Sequence, residues 1–339
     1  MSAPSAVERG SPQRLVELGD YIVPITLRVV ADLGVADHLT DGSRPVGELA
    51  EATGTDAPAL ERALRTLACK GVFTETEPGS FGLTPMAELL LTEHPVSFRG
   101  MLTLLPFDLA ALIQLEYSVR TGKPAFEHVH GQSYWSYFAE HGTDGERFDR
   151  FMQSLTRLVL RSVAGRYPWA QLNTIVDVGG GNGTFLAGLL ARHESIRGVL
   201  VDQPRVVAGA AVVLDAAGVA DRCAVIAGDF FTAVPQDADG YVLKLILHDW
   251  SDEQALRILR VVRAAMRPDS RLLILDAVIP PGDAFDQAKV LDVQMLALTG
   301  GRERTQEDFE KLLDAAGLRL HEIVRTATLP ILDVRVGER

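Results

Sequence analysis

Residues 174–185 read TIVDVGGGNGTF: an apolar, β-branched run, then Gly179, Gly181 and Gly183, then a helix start near Thr184. β-Branched residues favour a strand, and an apolar run without alternation favours one buried on both faces. Glycine in the turn permits positive φ and lets a ligand approach the backbone without meeting a Cβ. The stretch predicts a parallel strand, a tight turn and a helix, the unit repeated in doubly wound α/β sheets. The dinucleotide fingerprint G-x-G-x-x-G/A would end on position 184, which is Thr, and the spacing here is G-x-G-x-G. A pyrophosphate cradle is therefore disfavoured.

Toward the C-terminus further apolar runs follow at GVLVDQ (198–203), CAVIAGDFF (223–231), GYVLKLIL (240–247) and RLLILDAVI (271–279), separated by Ala- and Arg-rich segments of helical character. Continuous apolar strands alternating with helices predict a parallel sheet covered on both faces. Toward the N-terminus, QRLVELGDYIVPITLRVVADLGVADHL (13–39) carries apolar residues at helical spacing. Residues 45–85 then read as helix, turn at Gly54, helix, and two short strands joined at EPGS (77–80), the order of a winged helix-turn-helix. The expected organisation is a helical and winged-helix domain over 1–105, linking helices over 106–165 and an α/β domain over 166–339. No internal repeat is visible.

Composition narrows the function classes. The chain has 339 residues, enough for two cores. Its net charge of −12 opposes broad attraction to phosphate backbones or anionic lipid. The winged-helix stretch carries Asp41, Glu48, Glu51, Asp56, Glu61, Glu75 and Glu77 against few basic residues, so a structural or dimerising role is favoured over groove binding. Nucleic acid is not an expected partner. The two cysteines, Cys69 and Cys223, stand far apart without a metal-ligand pattern. With neither a signal-peptide pattern nor an apolar run of about 18 residues, the reading is a cytoplasmic chain without membrane attachment.

Acids recur where strands end. Asp202 closes the second run, about 20 residues past the glycine turn, where a carboxylate can accept ribose hydroxyls. Asp229 and Phe230 follow the third, where a carboxylate and an aromatic face can border a base. In LKLILHDWSD (243–252) an ammonium, Lys244, interrupts an apolar strand and must find a partner there. If that strand persists, Lys244, Ile246 and His248 share one face, and Asp249 points the other way, as a structural residue or the cap of the helix that follows. His248 stands at the carboxyl end, where ligands of open parallel sheets bind.

VDVGGGNGTF, LVDQPRVV, GDFF, KLILHDWSDEQALRIL and GGRERT, in that order, resemble the small-molecule O-methyltransferases of the caffeic acid type, S-adenosylmethionine-dependent enzymes of plant phenolic and bacterial antibiotic pathways. The resemblance spans nearly the whole chain. It implies a Rossmann-like class I methyltransferase domain behind a winged-helix dimerisation domain, and a homodimer. It implies that Asp177, Gly179 and Gly181 border the methionine part of the cofactor, Asp202 the ribose, and Asp229 and Phe230 the adenine, with Lys244 approaching the cofactor. It also implies that His248 is the general base, flanked by Asp276 and by Glu303 of GGRERT.

A base is useful because a phenol of pKa about 10 is only roughly one part in a thousand ionised at pH 7. The sulfonium of the methyl donor already carries its leaving group, so no metal is expected. The acceptor is expected to be a small aromatic, phenolic or quinone-like, against Phe151, Met152, Leu155, Met295 and Leu296, since thioethers and apolar side chains suit a flat ring. Alternative readings are N- or C-methylation or another cofactor enzyme on the same scaffold, a nicotinamide-dependent oxidoreductase, and a transcription regulator retaining a methyltransferase-like domain.

Overall fold

The computed structural model describes residues 11–337. The chain divides into two compact units, one of residues up to 105 with 146–155, the other of 106–145 with 156 onward.

In the first unit, helices Pro12–Leu18 and Ile22–Asp32 precede strand β1 (Arg44–Pro45), helices Val46–Thr53 and Ala57–Ala68, and strands β2 (Phe73–Glu77) and β3 (Ser80–Leu83). The strands form an antiparallel sheet in the order β1-β3-β2. Gly54, at φ 65°, ends one helix in the left-handed conformation, and Asp56 caps the next by accepting from Ala59 N. Leu49, Leu60, Leu64, Leu67, Phe73 and Phe81 close the core. This is the predicted winged-helix order. Leu15, Val16, Tyr21 and Ile22 of the first helices are more than half exposed, an apolar face left open among the described residues.

The second unit is built on a seven-stranded sheet. Its strands are β4 (Thr174–Val178), β5 (Arg197–Asp202), β6 (Cys223–Ala227), β7 (Gly240–Lys244), β8 (Arg271–Leu275), β11 (Leu318–Val324) and β12 (Ile331–Val336). The order is β11-β12-β8-β7-β4-β5-β6. Strands β4 to β8 are mutually parallel in the predicted places, while β12 is antiparallel to both neighbours. The β11–β12 pair departs from the expected all-parallel sheet. LRLHEIV alternates polar residues on an edge open to solvent, so it lacks the continuous apolar run by which the other strands are recognised. Two short strands, β9 (Val278–Ile279) and β10 (Arg304–Thr305), pair in parallel beside this sheet.

The chain runs outward from β4 through β5 and β6 on one side and through β7 and β8 on the other. The reversal lies between β4 and β7, and in open sheets of this kind ligands bind beyond the carboxyl ends of the strands at such a point. Tyr241, Leu243, Val176, Ile258, Leu259 and Phe309 fill the core that holds those strand ends in place.

Candidate active site

The glycine turn after β4 has the geometry its residues predict. Gly179, Gly181 and Gly183 adopt φ of 69°, 65° and 84°. A Cβ at Gly179 would collide with the Ile246 side chain, and one at Gly180 with Asp177 and Leu200, whereas one at Gly181 would meet nothing within 4 Å. Only at Gly181 is there open space, and its N–H donates to Asp202 Oδ2 at 2.8 Å. Gln203 N donates to Asp202 Oδ1 at 2.7 Å. The carboxylate is thus held at the tip of β5, and each oxygen retains a lone pair for a ligand hydroxyl. Burial raises the Asp202 pKa, and these two N–H donors act against the rise. Asp229 is exposed in the turn after β6, where it accepts from Phe231 N at 2.9 Å, and the half-buried Phe230 stands beside Gly179.

Asp177, fully buried on β4, has no hydrogen-bond partner for either carboxylate oxygen among the described residues. Burial pushes its pKa to about 7, with Lys244 pulling it down and Asp202 pushing it up. Asp177 pairs in register with Val242 of β7, which puts Lys244, two residues on, on the same sheet face. Burial lowers the Lys244 pKa, and Asp177, Asp276, Asp202 and Asp249 oppose the fall. An orphaned buried acid, a buried ammonium and a glycine turn that leaves open space at Gly181 make a site that fits a small nucleoside ligand carrying both amino-acid charges.

Beyond Lys244 the structure departs from expectation. The strand ends there, Leu245 turns at φ 55°, and Leu247–Asp249 form a single 3-10 turn. Lys244, Ile246 and His248 therefore do not share a strand face. A leucine at positive φ costs on the order of 1–3 kcal/mol and persists only where its surroundings impose it. Asp276 imposes part of it, accepting from Ile246 N at 3.3 Å and Leu247 N at 3.1 Å. Arg304 imposes more: fully buried, it donates to Leu247 O at 2.7 Å, Trp250 O at 3.0 Å and Asp252 Oδ1 at 2.8 Å. Arg302 N donates to His248 O at 2.8 Å, and a Cβ on Gly301 would strike that same carbonyl.

This turn presents the His248 ring. Nδ1 lies 2.7 Å from Glu303 Oε1, and the side chain is 9% exposed. Glu303 is itself held by its N–H donating to Asp292 Oδ1 at 2.9 Å. Asp276 does not bond the ring; its oxygens are spent on the backbone, and it acts on His248 through charge alone. Asp249, expected to point away, instead brings Oδ1 to 3.7 Å from His248 Nε2. The helix cap is Ser251, in a capping box with Gln254. Burial works to lower the His248 pKa, but Asp249, Glu303 and Asp276 together outweigh it and raise the value to about 9.

Phe151, Met152 and Leu155 lie, partly buried, on the helix Gly142–Val163 within the first unit, and Met295 and Leu296 on the helix Gln287–Leu298 of the second. Among the described residues no group of three or more His, Cys, Asp or Glu could hold a metal ion, and no helix is long and apolar enough to cross a membrane. Sequence reading missed Arg304, Gly301, Asp292 and the orientation of Asp249. GGRERT contains the first two, but nothing in its composition says that one arginine ties down a loop some fifty residues earlier.

The O-methyltransferase domain family matches residues 112–319, and the O-methyltransferase dimerisation domain family matches residues 17–93. A phenazine O-methyltransferase of Lysobacter antibioticus is 41% identical over 317 residues, 93% of each chain. An 8-amino-8-demethylriboflavin N,N-dimethyltransferase of Streptomyces davaonensis is 40% identical over 317 residues, 91% of each chain. Among solved structures, an O-methyltransferase from neocarzinostatin biosynthesis, in complex with S-adenosylmethionine and 2-hydroxy-5-methyl naphthoic acid, matches with a TM-score of 0.81 and 34% identity, covering 95% of this chain and 98% of that one.

Proposed function

The chain belongs to the O-methyltransferase family, with S-adenosylmethionine as its cofactor, and on that premise we propose that it methylates a hydroxyl of a small aromatic secondary metabolite of phenolic or quinone-like type, with His248 meeting the acceptor oxygen. The observation that carries this is the His248–Glu303 pair at 2.7 Å, which fixes Nδ1 and leaves Nε2 for the acceptor.

Asp177, Gly179, Gly181, Asp202, Asp229, Phe230 and Lys244 would hold the cofactor, whose sulfonium supplies an activated methyl group. Asp202 accepts the ribose hydroxyls with its remaining lone pairs, and Asp177 meets the ammonium. Met295 and Leu296 of the second unit would supply apolar contact for the acceptor ring.

His248 acts in two ways according to its charge. Neutral, it is the general base; protonated, it donates from Nε2 to the oxygen and holds the developing anion. Proton transfer from a phenol of pKa about 10 to an ordinary imidazole of about 6.5 is uphill by roughly 5 kcal/mol. Raising the ring to about 9 cuts that to about 1.4 kcal/mol, but leaves only about one ring in a hundred neutral at pH 7.

Incubation with methyl-labelled S-adenosylmethionine and a panel of hydroxylated phenazines, naphthoates and simple phenols tests the reading. Label is expected on oxygen; label confined to nitrogen or carbon, as in N-methylation by a relative, would overturn it.

The first unit supplies the homodimer contact, through the apolar face of helices Pro12–Leu18 and Ile22–Asp32. Burying such a face is worth roughly 25 cal/mol per Å². Sedimentation at micromolar concentration should give about twice the chain mass of 36.8 kDa, and a monomer there would refute it.

A further inference from the structure

The acids around His248 are not equally committed. Asp276 accepts two backbone N–H groups. Glu303 Oε1 is taken by Nδ1. The buried Tyr134 shares a hydrogen bond with Asp108. Asp249 is nine-tenths buried, and while its N–H donates to Ile246 O at 3.2 Å its carboxylate makes no hydrogen bond among the described residues, yet Oδ1 stands 3.7 Å from Nε2, the nitrogen left over. That gap is too long for a hydrogen bond. It suits a third atom: one oxygen about 2.8 Å from both groups subtends roughly 80–85° between them.

We propose that Asp249 is the proton acceptor of the reaction, taking the acceptor's hydroxyl proton on Oδ1 while His248, as imidazolium, donates from Nε2 to the same oxygen. This rests on the O-methylation reading of the crevice. The O–H bond breaks, with its proton passing to Asp249, and the oxygen's electron pair forms the new O–CH3 bond as the methyl–sulfur bond breaks with its pair left on sulfur. Asp249 then returns its proton to water. The arrangement gives His248 and Asp249 different tasks, which one ring could not perform at once: a charged ring holds the oxyanion but cannot accept a proton.

The charged and titratable groups facing Asp249 are His248, Asp276, Glu303 and Lys244, with Tyr134 on the helix beyond. Burial raises the Asp249 carboxyl to about 7, with His248 and Lys244 lowering it and the other two acids raising it. A carboxylate that becomes available near neutrality, beside a ring that stays charged to about 9, predicts a bell-shaped profile rising through about 7 and falling through about 9.

The test has two arms. In the first, ¹⁵N-histidine NMR of the full chain at pH 7.5, assigned with His248→Gln, reads the charge of His248 without any acceptor. Imidazolium shifts at both ring nitrogens are expected; a neutral ring overturns the proposal. In the second, Asp249→Asn is compared with wild type from pH 5.5 to 10.5 on the acceptor found by the labelled-methyl screen. A ring-nitrated analogue, already ionised at assay pH, serves as the second acceptor. Asn should lower kcat at least 10²-fold on the un-ionised hydroxyl, abolish the limb near 7, and cost less than 10-fold on the ionised analogue. Equal losses on both acceptors, or kcat within threefold of wild type, overturn it. Unchanged S-adenosylmethionine affinity checks that the variant is folded, and Asp249→Ser replaces it if Asn is not. Absence of label on oxygen with wild-type enzyme sinks the underlying reading instead, whatever the NMR shows.

Discussion

His248→Ala should lower kcat on an un-ionised phenolic acceptor by about 10²–10⁴-fold while changing S-adenosylmethionine affinity less than about twofold. His248 is the imidazole carried by the turn that follows β7, and Ala removes both its acid and its base form. The residues assigned to the cofactor lie along the ends of β4 to β7, and none takes a hydrogen bond from the ring. Binding and chemistry are therefore expected to separate, a fall in kcat without a matching change in cofactor Kd. On an acceptor already ionised at assay pH the loss should shrink, because no proton has to move, but not vanish, because the imidazolium also steadies the oxyanion. Turnover within threefold of wild type on the un-ionised acceptor would show that holding the two reactants together supplies the acceleration alone. The variant also leaves Glu303 buried without its partner, so the Glu303 carboxyl, already raised by burial, should rise further.

The second large effect is predicted away from the reacting atoms. Arg304→Ala removes donors from the carbonyls of Leu247 and Trp250, the first residue of the turn that carries His248 and the residue that caps it. Each buried acceptor left unsatisfied costs about 1–3 kcal/mol, and Leu245 loses part of what holds it at positive φ. A total of about 3–5 kcal/mol is expected, or roughly 10 °C in Tm, with turnover falling at least tenfold as the ring loses its fixed approach. Lysine should not rescue it, since one ammonium cannot span two carbonyls and a carboxylate in the fork geometry of a guanidinium. Thermal unfolding followed by circular dichroism, with kcat measured well below the transition, checks both effects. A Tm within about 2 °C of wild type would refute the account.

Much of the architecture was legible in the residues because local chemistry and tertiary role coincide there. Gly179, Gly181 and Gly183 could be read as a turn because each adopts a backbone that other residues avoid. The strands β4 to β8 announced themselves as apolar runs because both their faces are covered. Acids at the ends of β4 and β5 fell at one crevice because parallel strands place their carboxyl ends together. The family and its cofactor followed from the order of those motifs. The edge strand β11 was not legible, since one solvated face gives it the polarity of a loop.

Sequence alone thus determined the class of fold, the family and its cofactor, since these depend on periodicity and on chain order. The tertiary structure alone decided which way the side chains beyond Lys244 point. That part of the chain is neither strand nor helix, and its path depends on distant partners: Asp276 from the next strand, and Arg302 and Arg304 from some fifty residues later. One residue of slip in a strand reverses every side chain, and a positive-φ leucine redirects them as thoroughly. Asp249 faces the Nε2 of His248 for that reason, and no periodicity could have placed it there.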